Sequence, residues 1–208
     1  IKNLEYDTIY HEHLSYITLL PLIKYLNKKN LEIFDVEEKD IHGGSIRIFI
    51  GVKKKFQKSK KLKKILIKEK QSKLNDMNNL LHFSEKVKKN RMQLVNLLIK
   101  LKSKNKKIIV LSAPAKGMTL LNYCKIDKDL IDFATEKSKL KINSFTPGVN
   151  IKVFSDREIY KKKPDYALIL AWNFYKEIIR NNKKFFKLGG KFIVPVPKPR
   201  IIGRNFKW

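Results

Sequence analysis

The chain has 208 residues, 43% hydrophobic and 11% aromatic, a globular composition long enough to bury a core. Lysine carries nearly all of its net charge of +28; with few arginines and no helix-turn-helix, zinc-finger or RNA-recognition pattern, a nucleic-acid partner is disfavoured and an anionic small substrate suits the charge better. No apolar run approaches the length of a membrane span, and the single cysteine, Cys124, excludes an internal disulfide and any multi-cysteine zinc site, which fits a reducing cytoplasm. Ile1 is not an initiator methionine and no signal peptide follows, so the chain is expected to begin inside a longer protein.

Tyr10-His11-Glu12-His13 is the densest chemical cluster, holding two of the four histidines. Histidine exchanges protons near neutrality, so a histidine flanked by Glu and Tyr can act as a general base with orienting partners. The same residues also suit a polar turn that satisfies buried backbone groups. Residues 15–29 read as a helix from Leu19, Leu22, Ile23 and Leu26, with Ser15 as a cap. Pro21 moves the first regular turn to Thr18 or Leu20, and Asn30 closes the element. Leu31–Val36 and Ile46–Val52 alternate as strands. Between them His42-Gly43-Gly44-Ser45 offers a histidine, a candidate substrate-binding residue, beside two glycines that permit close backbone approach. A simple bulge or turn explains the glycines as well.

From Lys53 to Lys107 the lysine runs read as solvated helix faces: one helix over Leu62–Leu81, weakened by Asn75, Asn78 and Asn79, and a second starting at Ser84-Glu85. Val87, Leu94, Leu98 and Leu101 mark the second helix's apolar face. Then strands and helices alternate. Ile108–Leu111 is a short buried strand, followed by the small-residue turn of residues 112–119, which contains Lys116 and Thr119, and a helix start. A helix N-terminus in such a turn is a natural anion site, although the spacing is neither a Walker loop nor GxGxxG. Leu130–Thr135 and Ile151–Phe154 follow, separated by a turn at Thr146-Pro147-Gly148. Tyr166–Ala171 is another buried strand, running into Trp172-Asn173-Phe174; a helix to Leu188, Gly189-Gly190 and a last strand over Phe192–Val196 complete the chain. The alternation predicts an α/β fold, Rossmann-like, with a mainly parallel sheet and helices on both faces. Lys116, Thr119, Trp172 and Asn173 would fall near the carboxyl edge, where such sheets bind ligands, and are the candidate substrate-binding residues with His42.

Six stretches in order, YHEHLSY (10–16), HGGSIR (42–47), APAKGMTLLNYC (113–124), DFATEKSKLKINSFTPG (132–148), PDYALILAWNF (164–174) and GGKFIVPVPKPR (189–200), resemble the sugar C-methyltransferases. These S-adenosylmethionine-dependent enzymes methylate a ring carbon of nucleotide-activated deoxysugars. The resemblance covers residues 6–202 apart from the lysine-rich helices. It implies three parts in a full-length enzyme: a cysteine-rich zinc module, a central cofactor domain and a C-terminal domain. On that basis 1–53 is the end of the central methyltransferase domain, a helix and two strands; 54–107 are connecting helices; and 108–208 is the Rossmann-like C-terminal domain. S-adenosylmethionine would then be held mainly by a domain outside this chain, and zinc only in the N-terminal module, with no metal bound here. The expected partners are a nucleotide-diphosphate deoxysugar and, for a split enzyme, a separate chain supplying the N-terminal half. The family's proposed base is the last histidine of its motif, here His13, with Tyr10 and Glu12 matching active-site neighbours; His11 receives no role. Ser112 stands where the family usually has Gly, and Met118 where it usually has Asn. A non-catalytic nucleotide-sugar-binding module left by truncation is the alternative.

Overall fold

The computed structural model describes residues 3–39, 44–74 and 76–203. The chain groups into two compact units, Ile1–Glu12 with Phe83–Trp208, and His13–His82. The expected spans 1–53, 54–107 and 108–208 concern descent from a longer enzyme, which compactness does not address.

In the unit His13–His82, α1 (Leu19–Asn27) leads into the antiparallel pair β1 (Leu31–Lys39) and β2 (Ser45–Val52). Next come α2 (Lys60–Ser72) and the start of α3 (Met77–Lys102), which crosses the division between the units. Thr18, extended, precedes α1, and Pro21 sits in its first turn, where a missing N–H costs nothing. The carboxylate of Glu69 on α2 accepts from the Leu19 and Leu20 amides, both at 2.8 Å, capping α1 with a negative charge at its positive end. Asn30, at φ +57°, ends the turn after α1, as its position predicts. Leu19, Leu26, Ile33, Val36 and Leu62 form a small core, while the lysines of α2 lie on its solvated faces.

The expected helix over Leu62–Leu81 is corrected. α2 ends at Ser72 and Lys73 turns left-handed at φ +47°. Asp76 then accepts from the Asn78 amide at 2.9 Å, and Asn79 donates to the Lys73 carbonyl. The break between the helices is held by Asp76 and Asn79, whose short polar side chains bond backbone groups there. α3 starts at Met77 rather than at Ser84, which lies within it.

In the other unit a 3-10 turn, Tyr6–Thr8, precedes α3, and the sheet follows. Its elements are β3 (Ile108–Leu111), α4 (Ala115–Cys124), β4 (Phe133–Glu136), β5 (Val153–Ser155), α5 (Glu158–Lys162), β6 (Tyr166–Ile169), α6 (Tyr175–Asn181), α7 (Lys183–Lys187), β7 (Lys191–Val194) and β8 (Arg200–Ile202). The six strands lie in the order β5-β4-β3-β6-β7-β8, parallel except for β8. The chain winds outward from β3 to β5, then restarts at β6 on the other side. Right-handed crossovers in the two directions place helices on both faces, so the expected fold class is present. The reversal leaves a crevice between the carboxyl ends of β3 and β6.

Two further expectations are corrected. The helix to Leu188 is two helices: Asn182, at ψ 31°, leaves the helical conformation between α6 and α7 and donates to the Ile178 carbonyl at 2.8 Å. The last strand is β8, beyond Phe192–Val196. Its three residues follow two prolines and are too short to show alternation. On α3 the buried positions Val87, Asn90, Leu94, Leu98 and Leu101 recur at helical spacing, each fully buried leucine contributing about 1.5–3 kcal/mol.

Candidate functional site

The crevice between β3 and β6 is crossed by the chain's own N-terminal strap. Tyr6 and Asp7 in the 3-10 turn are buried, and Asp7 is fully shielded from solvent. The Trp172 indole N–H donates to Asp7 Oδ2 at 2.6 Å, and Lys116 Nζ lies 3.6 Å from Asp7 Oδ1. The same ammonium stands 4.5 Å from the Trp172 ring centre. Lys116 comes from the first turn of α4, just past β3, and Trp172 from the turn just past β6. Two of the expected substrate-binding residues thus meet at the crevice, on an acid that sequence patterns did not single out.

The rest of the strap is tied down on the same edge. Tyr6 donates its hydroxyl proton to Asn90 Oδ1 at 3.0 Å, and its oxygen lies 3.7 Å from Cys124 Sγ. Asn90 in turn donates to the carbonyls of Pro195 and Pro197, which follow β7. Thr119, on α4, donates to the Ile9 carbonyl at 3.3 Å. Asn173 is half-buried beside Trp172. Beyond this anchor the strap leaves the core: Tyr10 is half-buried, His11 and Glu12 are exposed, and the Tyr10 and His11 rings meet edge to face with centroids 6.2 Å apart. His13 follows at the start of the second unit's span, exposed, with its ring edge-to-face to Tyr16. His42 and Gly43 lie outside the described residues.

Burial drives the Asp7 carboxyl above its ordinary range; Lys116 and the Trp172 hydrogen bond pull it back only in part. At the end of β4, burial also pushes Glu136 up. There the amides of Lys137, Ala113 and Ser138, with Lys141, more than offset it and hold the acid ionised. Glu136 thereby fastens the turn that leads from β3 to α4. Ser112 in that turn takes φ +63°, a conformation that favours glycine and the residue the resemblance leads one to expect there.

This crevice does not fit S-adenosylmethionine. Buried Asp7 and the strap lie across it beside half-buried Lys116, and the turn of residues 112–116 has no glycine to admit a cofactor against its backbone. Among the described residues no group of three His, Cys, Asp or Glu side chains is placed to hold a metal ion, and no helix is long and apolar enough to cross a membrane.

Asp7, Tyr6 and Asn90 escaped the sequence patterns. Asn90 left one legible signal, a polar residue on the otherwise apolar face of α3. Tyr6-Asp7 left none, since a three-residue turn has no period.

Comparison with known proteins settles the ancestry of these elements. The C-methyltransferase C-terminal domain matches residues 40–197. The chain belongs to that family. C-methyltransferase NovU of Streptomyces niveus is 34% identical over 203 residues, which cover 97% of this chain and 48% of the relative. The chain therefore spans about half the length of that curated relative. Both ends of the strap-and-crevice arrangement, the Tyr10-His11-Glu12-His13 motif and the β3–α4 turn, fall in the stretch shared with it.

Proposed function

We propose that this chain is the C-terminal portion of an S-adenosylmethionine-dependent C-methyltransferase that modifies a ring carbon beside a ketone in a nucleotide-diphosphate deoxysugar. The observation that carries the proposal is the strap. In a chain of this family, Asp7, Tyr6 and Ile9 are fastened to the carboxyl edge of the sheet, and the strap leads directly into the motif that the resemblance makes catalytic.

Carbon methylation needs a carbanion, and a neighbouring ketone makes one accessible as an enolate. His13 takes the proton from that carbon, leaving its electron pair to move onto the carbonyl oxygen. Glu12 orients the imidazole and balances its charge once protonated, while the Tyr10 hydroxyl donates to the enolate oxygen. S-adenosylmethionine supplies the electrophilic methyl group and belongs to the half of the enzyme outside this chain, as does the zinc module. The substrate's diphosphate lies along the edge carrying Lys116, Thr119, Trp172 and Asn173. An ammonium has three N–H donors, so Lys116 can serve Asp7 and an anion together.

The test supplies the N-terminal half of the Streptomyces niveus relative, fused or as a second chain, with S-adenosylmethionine and a set of nucleoside-diphosphate ketosugars. A product heavier by one methyl-for-hydrogen exchange, placed on the carbon beside the ketone, is expected. Transfer to oxygen or nitrogen, or none to any ketosugar while the joined halves are folded, would overturn the assignment.

A further inference from the structure

Asn90 is out of keeping with its surroundings. It stands on the apolar face of α3 between Val87 and Leu94, 2% exposed, in the unit formed by Ile1–Glu12 with Phe83–Trp208. A leucine there would gain helix propensity and bury apolar area with no polar group to satisfy. The asparagine instead commits its whole amide to three partners. Oδ1 accepts from the Tyr6 hydroxyl at 3.0 Å, and Nδ2 donates to the carbonyls of Pro195 at 2.9 Å and Pro197 at 3.0 Å. One side chain thereby joins α3 to positions 84, 105 and 107 residues away. A buried amide with its donors and acceptor all used specifies one arrangement of the segments it joins.

What the amide fixes at Tyr6 reaches the Tyr10-His11-Glu12-His13 motif by a short, hydrogen-bonded path. The Tyr6 ring packs beside Tyr123, with centroids 5.4 Å apart. The Tyr6 carbonyl accepts from the Ile9 amide at 3.3 Å, and the Thr8 carbonyl accepts from the Tyr10 amide at 3.0 Å. The Thr8 hydroxyl donates to the Glu5 carbonyl at 2.9 Å. The turn is therefore bonded continuously from the anchor to Tyr10, and Glu12 and His13 follow at once. The Asp7 and Ile9 ties reach α4 and the turn after β6, whereas the Asn90 tie adds α3 and the segment after β7.

We infer that Asn90, acting through the Tyr6 hydroxyl, is a positioning residue for the proposed proton abstraction: it fixes the turn from which Tyr10, Glu12 and His13 extend. The inference rests on the roles proposed for those three residues and adds one outside the motif. Without the amide, Tyr6 keeps its ring in the core but loses the bond that sets where the turn lies. A misplacement of about 1 Å in a reacting group can cost about 10²-fold in rate. The edge proposed for the substrate's diphosphate takes none of its residues from these bonds, so affinity should not follow the rate.

The test uses the 208-residue chain joined to the N-terminal half of the Streptomyces niveus relative, with a nucleoside-diphosphate ketosugar and no methyl donor. It reads solvent deuterium exchange at the carbon beside the ketone, at saturating substrate, together with the substrate's Kd. Tyr6→Phe deletes the hydroxyl and keeps the ring. It should slow exchange about 10-fold or more while Kd stays within about twofold. Asn90→Ala should slow exchange about 10²-fold, and the double variant should lose no more than Asn90→Ala alone, because the hydroxyl acts through the amide. Val87→Ala, on the same face of α3, softens the core without breaking a polar tie and should leave exchange in the folded protein unchanged. Should Asn90→Ala fail to fold, Tyr6→Phe decides. Exchange in folded Tyr6→Phe at the parent rate, a Kd that rises in step with the rate loss, or an equal loss in Val87→Ala would overturn the inference and leave the proposed chemistry standing. So would a Tyr6→Phe protein unable to fold, since the bond would then serve stability. A parent enzyme without exchange would overturn both.

Discussion

Asp7 is the residue on which the strap turns. A carboxylate sealed from water costs stability unless hydrogen bonds and counter-charge compensate for its lost hydration. Here Trp172 and Lys116 compensate in part, and burial still leaves the carboxyl raised above its ordinary value. The sign of the pH effect follows. A raised acid binds its proton more tightly in the folded state, so Asp7 weighs against folding at neutral pH and the penalty fades as pH falls through the folded-state value. The stability of the parent relative to Asp7→Asn should therefore improve from pH 7 toward pH 4, by about 1.4 kcal/mol for each pH unit that burial has lifted the group. Denaturant titrations of both proteins across that range check it, and a difference that grows in the opposite sense would contradict the burial argument. Asp7→Ala is a different case. It strands the Trp172 N–H and the Lys116 charge, and should cost about 2–4 kcal/mol near pH 4, the cost shrinking toward pH 7 as the parent's own carboxylate penalty returns.

Among the elements, α4 sets the geometry of the crevice because it starts at β3 and carries Lys116 and Thr119. Gly117, in its first turn, is there for packing. A Cβ at that position would stand 2.6 Å from Leu170 Cβ and Cδ1, and Leu170 is fully buried and cannot retreat. Gly117→Ala gains up to about 1 kcal/mol of helix propensity but meets an overpacking cost of about 1–3 kcal/mol. The clash should win, lowering the denaturant midpoint; an unchanged midpoint would mean that α4 does not approach β6 this closely. From sequence the same small residues suit an anion site, since small residues before a helix serve phosphates and tight packing alike. The parallel strands were legible because continuous apolar runs such as Ile108–Leu111 belong to strands buried on both faces. The break at Lys73 was not, since a lysine in a left-handed conformation carries no compositional mark. β8 was hidden by its length.

For the molecule as a whole, legibility divided by range. The order of six short stretches was enough to place the chain in its family, whereas the Asp7–Trp172 hydrogen bond joins residues 165 apart and nothing local announces it. The strap across the crevice has a direct consequence for S-adenosylmethionine. Calorimetric titration of the isolated chain with S-adenosylmethionine should give no saturable heat, and saturable binding in the micromolar range would contradict assignment of the methyl donor to the other half. Proton removal, by contrast, is what we propose for this chain, and solvent deuterium exchange isolates it. With the N-terminal half joined and no methyl donor present, the enzyme should exchange the hydrogen on the carbon beside the substrate's ketone. His13→Asn should slow that exchange by about 10²–10⁴-fold, the usual cost of losing a general base, while substrate still binds. Tyr10→Phe should be milder. Exchange in the His13→Asn protein at the parent rate would contradict the assignment of His13 as the base.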